Sequence, residues 1–276
     1  MHTLTDSPSR GTVVLLHASA SSARQWQALA DALAPHWQVH AIDFHGHGAR
    51  PDRGTDAAPT LDADAALVAP LLGRGAHLVG HSYGAAIALK LAHQQPQRVR
   101  SVLAYEPVLF GLLRDDPAAL RETSAVAAAM RERLAAGDAL AAGKRFIDHW
   151  SGDGAWAALP AARQHGSAAR MATIARQFDA LYGEPLAAAD LARLPMPLLL
   201  LNGSRTLPVA RRIVDAVLAA RPRSGHAVLP GLGHMGPITH ADAFNRRVLA
   251  FLQSQTFTER LQAPDSPVRE SLVPAL

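Results

Sequence analysis

The 276-residue chain has no cysteine and only two lysines, Lys90 and Lys144. The first absence excludes disulfide bridges, a thiolate nucleophile and a cysteine-based zinc site, and it leaves the redox compartment unread. The second puts nearly all basic charge on 25 arginines, which are scattered along a chain of formal net charge only +4. No basic stripe with interleaved aromatics appears, so the pattern argues against a nucleic-acid-binding protein. Aromatic residues are also sparse, at 5%, while 49% of residues are hydrophobic and 18% charged. That balance describes a globular protein with an Ala/Leu-rich core and argues against disorder. Nothing approaches the roughly 18 uninterrupted apolar residues of a membrane span. The opening MHTLTDSPSRG lacks an apolar segment and reads as a polar lead-in rather than a signal peptide, which leads us to expect a soluble, cytoplasmic protein. Nothing in the pattern speaks to oligomeric state.

Short unbroken apolar runs recur at TVVLLH (12–17), WQVHAID (37–43), AHLVGH (76–81), VRSVLAYEP (99–107), PLLLLN (197–202) and GHAVLP (225–230). Unbroken runs are expected of strands buried on both faces of a parallel sheet. Helical patterns lie between them and several stop at a proline, as in YGAAIALKLAHQQP and VARRIVDAVLAARP. The alternation predicts an α/β fold, doubly wound, with a mainly parallel sheet of about six strands and helices on both faces. From Leu112 to Leu194 the strand signal disappears and only Ala-rich helical segments remain, interrupted by GDAL, SGDGAW and HGSA. We expect a core made of residues 1–111 and 195–257, a helical cap insertion at 112–194, and a loosely held tail at 258–276, where the helical period lost after Gln253 is followed by prolines.

The strand AHLVGH runs into Gly80-His81-Ser82-Tyr83-Gly84 and then into a helix. A G-x-S-x-G pattern in a strand–turn–helix context presents the serine above the carboxyl edge of the sheet, with neighbouring amides at a helix N-terminus. Serine needs a base to take its proton. Of 14 histidines, His234 in GLGHMGP fits best, since it follows the last strand and sits among glycines. His93, His149 and His165 read as solvated or packing residues, and His81 as held beside the nucleophile by the turn. His45 and His47 in DFHGHG make a weak metal pair without a third ligand. No metal or cofactor is called for.

LLHASASSARQW, DFHGHG, GHSYG and GLGHMGP, in that order over nearly the whole chain, resemble the α/β-hydrolase fold superfamily, in particular its small esterase, lactonase and C–C hydrolase branch. The resemblance implies a serine, acid, histidine order, a helical cap, and an oxyanion hole from the backbone amides of Tyr83 and Ser19. Ala18 stands where the family usually has glycine. The family's acid usually follows the penultimate strand in the pattern L-x-G-x-x-D, but here that stretch reads Leu201-Asn202-Gly203-Ser204-Arg205-Thr206. Losing the acid outright costs on the order of 10⁴ in rate.

Glu106, at the carboxyl end of the strand after the nucleophile, is the substitute candidate, because groups at the ends of neighbouring strands line one crevice. Haloalkane dehalogenases, another branch of the superfamily, place the acid there. A strand-end glutamate can equally be a plain surface residue. Asp43 is a competitor better suited to bracing loop amides, and Asp215 lies mid-helix. The reading is a cofactor-independent serine hydrolase of a small ester or lactone with Ser82, His234 and Glu106 as triad. Phe146, Trp150, Trp156, Met171, Phe178, Tyr182 and Met235 are candidate pocket residues. The rivals are a C–C bond hydrolase of a diketone-like substrate and a non-catalytic ligand-binding protein.

Overall fold

A computed structural model describes residues 10–54 and 60–262. In chain order these form β1 (Thr12–Leu16), α1 (Gln27–Leu33), β2 (Gln38–Ile42), α2 (Asp62–Val68), β3 (Ala76–His81), α3 (Tyr83–Gln94) and β4 (Val99–Tyr105). Five helices follow: α4 (Pro117–Ala135), α5 (Ala139–Ser151), α6 (Ala161–Ala168), α7 (Met171–Gly183) and α8 (Ala188–Ala192). The chain then returns to β5 (Leu198–Gly203), α9 (Pro208–Ala220), β6 (Gly225–Leu229), α10 (Gly236–Thr239) and α11 (Ala241–Gln262). Most of the polar lead-in (residues 1–9) and the tail from 263 onward lie outside the described residues.

The six strands form one parallel sheet in the order β2-β1-β3-β4-β5-β6. Alternate side chains of each apolar run enter different cores. Val14, Leu16, Leu78, Val102 and Leu200 pack with α2, α3, α9 and the α4–α8 segment, whereas Val13, Leu15, Val79, Leu103 and Leu201 pack with Trp26, Leu29 and Leu33 near α1 and Phe244, Val248 and Leu252 of α11. Two apolar layers explain why the central strands show no polar alternation. β2 and β6 depart from the expected burial: as edge strands with one neighbour each, they are largely half-buried or exposed.

Two boundaries also differ from expectation. HGSA (165–168) lies inside α6, and the helix ends after Ala168 rather than breaking at Gly166. α11 continues to Gln262, past the expected end at 257; Leu252 and Thr256 remain buried, and Thr256 Oγ1 donates back to the Leu252 carbonyl. Local capping accounts for two helix starts, with the Asp116 and Asp138 carboxylates accepting the Ala119 and Ala141 amides at the heads of α4 and α5.

The α4–α8 segment is tied to the sheet layer by a buried ion pair. Lys90 of α3 donates to both oxygens of Glu184, just beyond α7, at 3.0 and 2.9 Å. Both residues are buried, and Lys90 also reaches the more exposed Asp62 at 3.0 Å, so loss of Glu184 leaves the ammonium only a solvent-screened partner. Glu184→Ala is expected to lower stability in urea denaturation by less than the roughly 3–5 kcal/mol of a buried charge left with no partner, since Asp62 remains beside Lys90. The paired change Lys90→Met with Glu184→Leu should cost less than Glu184→Ala alone.

Three buried histidines brace the loops above β1 and β3. Burial pulls the His17 ring down to about 3, and burial likewise lowers His47 and His81. Their folded-state values lie below the ordinary 6.5, so an unfolded chain takes up protons first as pH falls. Their contribution is therefore complete above about pH 6.5 and is lost on acidification, down to about pH 3 for His17. Unfolding free energy should fall from pH 7 to pH 5, with the His17 share alone on the order of 1 kcal/mol per pH unit once below 6.5. A flat profile over that window would overturn the assignment.

Candidate active site

The turn between β3 and α3 forces Ser82 into a conformation that side-chain-bearing residues rarely adopt, with φ 56° and ψ −115°. The flanking glycines are steric necessities. A Cβ on Gly80 would lie 2.6 Å from the Ala85 Cα, and one on Gly84 would lie 2.2 Å from the Leu16 carbonyl oxygen. The turn lifts Ser82 Oγ to within 2.9 Å of His234 Nε2. On the other side of the ring, Nδ1 lies 2.7 Å from Glu106 Oε2.

Glu106 follows the last residue of β4 and is completely buried, with φ 45°. Its amide extends the sheet by donating to the Leu201 carbonyl at 2.9 Å, which aims its side chain into the crevice rather than toward solvent. Oε1 accepts the Gly203 amide at 2.8 Å, so each carboxylate oxygen has a donor. The Ser204-Arg205-Thr206 loop therefore serves the acid through a neighbouring backbone N–H. It also grips the histidine loop: the Arg205 amide donates to Leu232 O at 2.8 Å, and Ser204 Oγ accepts the Gly231 amide at 2.8 Å. Thr206 Oγ1 is buried without a hydrogen-bond partner. Asp215 is exposed on α9 and pairs with Arg211 at 3.1 Å.

His234 is held by more than its ring. Tyr105 Oη donates to the preceding Gly233 carbonyl at 2.6 Å, His81 Nε2 donates to the His234 carbonyl at 2.8 Å, and the Trp150 ring lies 4.3 Å from the imidazole at an interplanar angle of 39°.

The loop after β1 faces the serine. Gly84 donates to the His17 carbonyl, while the Ala85 and Ala86 amides donate to Ser82 O. The Tyr83 and Ser19 amides are left without a protein acceptor among the described residues. Ala18 needs no glycine-like backbone; the positive φ of this loop falls at Ala20, at 60°. His17 Nε2 accepts the Phe44 amide at 3.1 Å, and His47 Nε2 accepts the Ala20 amide at 3.2 Å. Asp43 accepts the Ala23 and Ala49 amides at 2.7 and 2.9 Å, bracing two loops. His45 Nδ1 lies 2.6 Å from Asp64, whose other oxygen accepts the Tyr83 hydroxyl at 2.8 Å.

Two glutamines that the sequence reading did not single out complete the frame. Gln25 Oε1 accepts the Ala18 amide at 3.2 Å while its Nε2 donates to His81 Nδ1 at 2.9 Å. Gln177 of α7 accepts the Ser19 hydroxyl at 2.6 Å, across 158 positions of sequence. Nothing in the local pattern around Gln177 signals such a partner.

A cavity of about 710 Å³ opens onto Ser82 and His234, within the range of small-molecule sites. Ser19, Phe146, Trp150, Phe178 and Met235 line it. Trp156, Tyr182 and Met171 do not. The Trp156 ring fills the space over Gly143, where a Cβ would come within 2.8 Å of it. Tyr182 stacks on Phe110 with centroids 4.8 Å apart, and Met171 is wholly buried in the core.

A model of the alpha/beta hydrolase family matches residues 13–247. The pimeloyl-(acyl-carrier protein) methyl ester esterase of Pectobacterium atrosepticum is 28% identical over 251 residues, covering 88% of this chain and 94% of that protein. MenH from S. aureus superposes with a TM-score of 0.71 at 18% identity, over 91% of this chain and 96% of that one. The 2-hydroxy-6-oxo-6-phenylhexa-2,4-dienoate hydrolase of Rhodococcus sp. strain RHA1 gives 0.67 at 20% identity, over 89% and 91%. With the sheet order, the elbow and a family match across most of its length, the chain belongs to the alpha/beta hydrolase family.

Proposed function

We propose that the protein is a serine hydrolase that cleaves a small carboxylic ester or lactone through an acyl-enzyme intermediate. The observation that carries this is the unbroken line of contacts from Ser82 Oγ through both ring nitrogens of His234 to Glu106, at the floor of a cavity large enough for a small ligand. His234 Nε2 takes the hydroxyl proton as Oγ attacks the carbonyl carbon. The Tyr83 and Ser19 amides hold the resulting oxyanion, and Glu106 keeps the Nδ1 proton in place and offsets the charge on the imidazolium. Collapse expels the alcohol, which takes its proton from His234. Water, deprotonated by the same ring, then attacks the acyl carbon and releases the acid.

The α4–α8 helices act as the cap in this scheme, with Trp150, Phe146 and Phe178 forming an apolar roof. A full-length relative named as a methyl ester esterase supports ester over C–C cleavage.

Fluorophosphonate should label the folded protein at Ser82 and leave Ser82→Ala unlabelled; an unlabelled wild-type protein would sink the hydrolase reading. With p-nitrophenyl acetate, Glu106→Gln is expected to lower kcat by roughly 10³–10⁴. Thr206→Ala should stay within about threefold of wild type, since no charge is lost there. Equal damage from the two changes would refute Glu106 as the acid.

A further inference from the structure

The cavity above Ser82 is lined by three arginines, Arg24, Arg163 and Arg170, and by no aspartate or glutamate among the described residues. Arg24 lies in the turn that follows the Ser19 loop, Arg163 on α6, and Arg170 at the head of α7. Several arginines outside the cavity do have carboxylate partners. Arg131 meets Asp179, Arg211 meets Asp215, and Arg176, six residues beyond Arg170, meets Asp52. Arg170 is half-buried, yet among the described residues it donates only to the Gly166 carbonyl, at 3.1 Å. Its guanidinium also lies close enough to His17 and His47, under the Ser19 loop, to help hold both rings down after burial has done most of the work.

A partly desolvated cation with no counter-charge is costly unless a ligand supplies one. Arg170 is the partly desolvated one; with the exposed Arg24 and Arg163 at the same concavity, whose lining has apolar walls, it concentrates positive potential there. The planar guanidinium fork matches the paired oxygens of a carboxylate or phosphate.

We propose that the natural substrate carries a second, anionic group, a carboxylate or phosphate, joined to the ester by an apolar spacer and bound in the cavity by Arg170 with Arg163 and Arg24. The proposal rests on the hydrolase reading for the ester and adds what the rest of the molecule must present. The spacer lies along Trp150, Phe146 and Phe178, and the anion replaces the carboxylate that the cavity lacks.

The test compares mono-p-nitrophenyl adipate with its methyl-capped, neutral counterpart, and adds p-nitrophenyl 5-phosphonopentanoate to separate carboxylate from phosphate recognition. Wild-type kcat/KM is expected to favour at least one anionic ester over the neutral one by about tenfold or more. That ratio should fall toward one in Arg170→Gln and in Arg163→Gln, mainly through KM, and be partly retained in Arg170→Lys. Arg163 is exposed, so its variant guards against misfolding of the Arg170 variant. A wild-type ratio near one, or one unmoved in both glutamine variants, overturns the proposal. If no ester is turned over, the hydrolase reading fails by itself and calorimetric titration with adipate and inorganic phosphate decides: binding weakened at least tenfold by Arg170→Gln supports the anion site, and absent or unaffected binding overturns it.

Discussion

A wholly buried carboxylate is tolerable only where donors meet both of its oxygens. Glu106 meets that condition with the Gly203 amide on one oxygen and the His234 ring on the other. The two donors are the last residue of β5 and a residue of the loop after β6, so the contact fixes three strand ends relative to one another. The imidazole can face Ser82 only while that arrangement holds, and Tyr105, the neighbour of Glu106, secures the same histidine loop through Gly233. Acid and histidine loop are thus positioned by consecutive residues at the end of one strand.

The sheet was legible in the sequence because its strands are short, unbroken and apolar, and a parallel sheet covered on both faces requires that composition. The elbow was legible because Gly80 and Gly84 sit against backbone atoms that no side chain could clear. That Glu106 lies beside His234 could be expected from the missing carboxylate at Thr206 and from its own place at a strand end. The roof of the cavity was harder to read. Phe146 and Trp150 on α5 line it, while Trp156, in the turn between α5 and α6, folds its ring back over Gly143, and the sequence does not show which way that turn runs. Gln25 and Gln177 were invisible for a related reason: an amide that bridges two loops has no signature along the chain, and its meaning comes from partners 56 and 158 positions away.

The helical segment between β4 and β5 is more than bulk above the sheet. Gln177 of α7 reaches down to Ser19, Thr173 Oγ1 donates to Asp52 at 2.6 Å, and Glu184 joins Lys90 in the layer below. These polar contacts anchor the segment at its floor, while the cavity opens beside them under Trp150 and Phe178.

The link through Gln25 and His81 runs in one direction only. The Ala18 amide can only donate, so Gln25 must turn its oxygen toward it and its nitrogen toward His81, whose Nδ1 must then be bare and whose Nε2 must carry the hydrogen given to the His234 carbonyl. One peptide N–H in the loop after β1 thereby dictates an amide orientation, a ring tautomer and the seat of the histidine loop. A second proton on His81 would set donor against donor at Gln25 and break the sequence at its midpoint, which is why that ring is best kept as dry as it is.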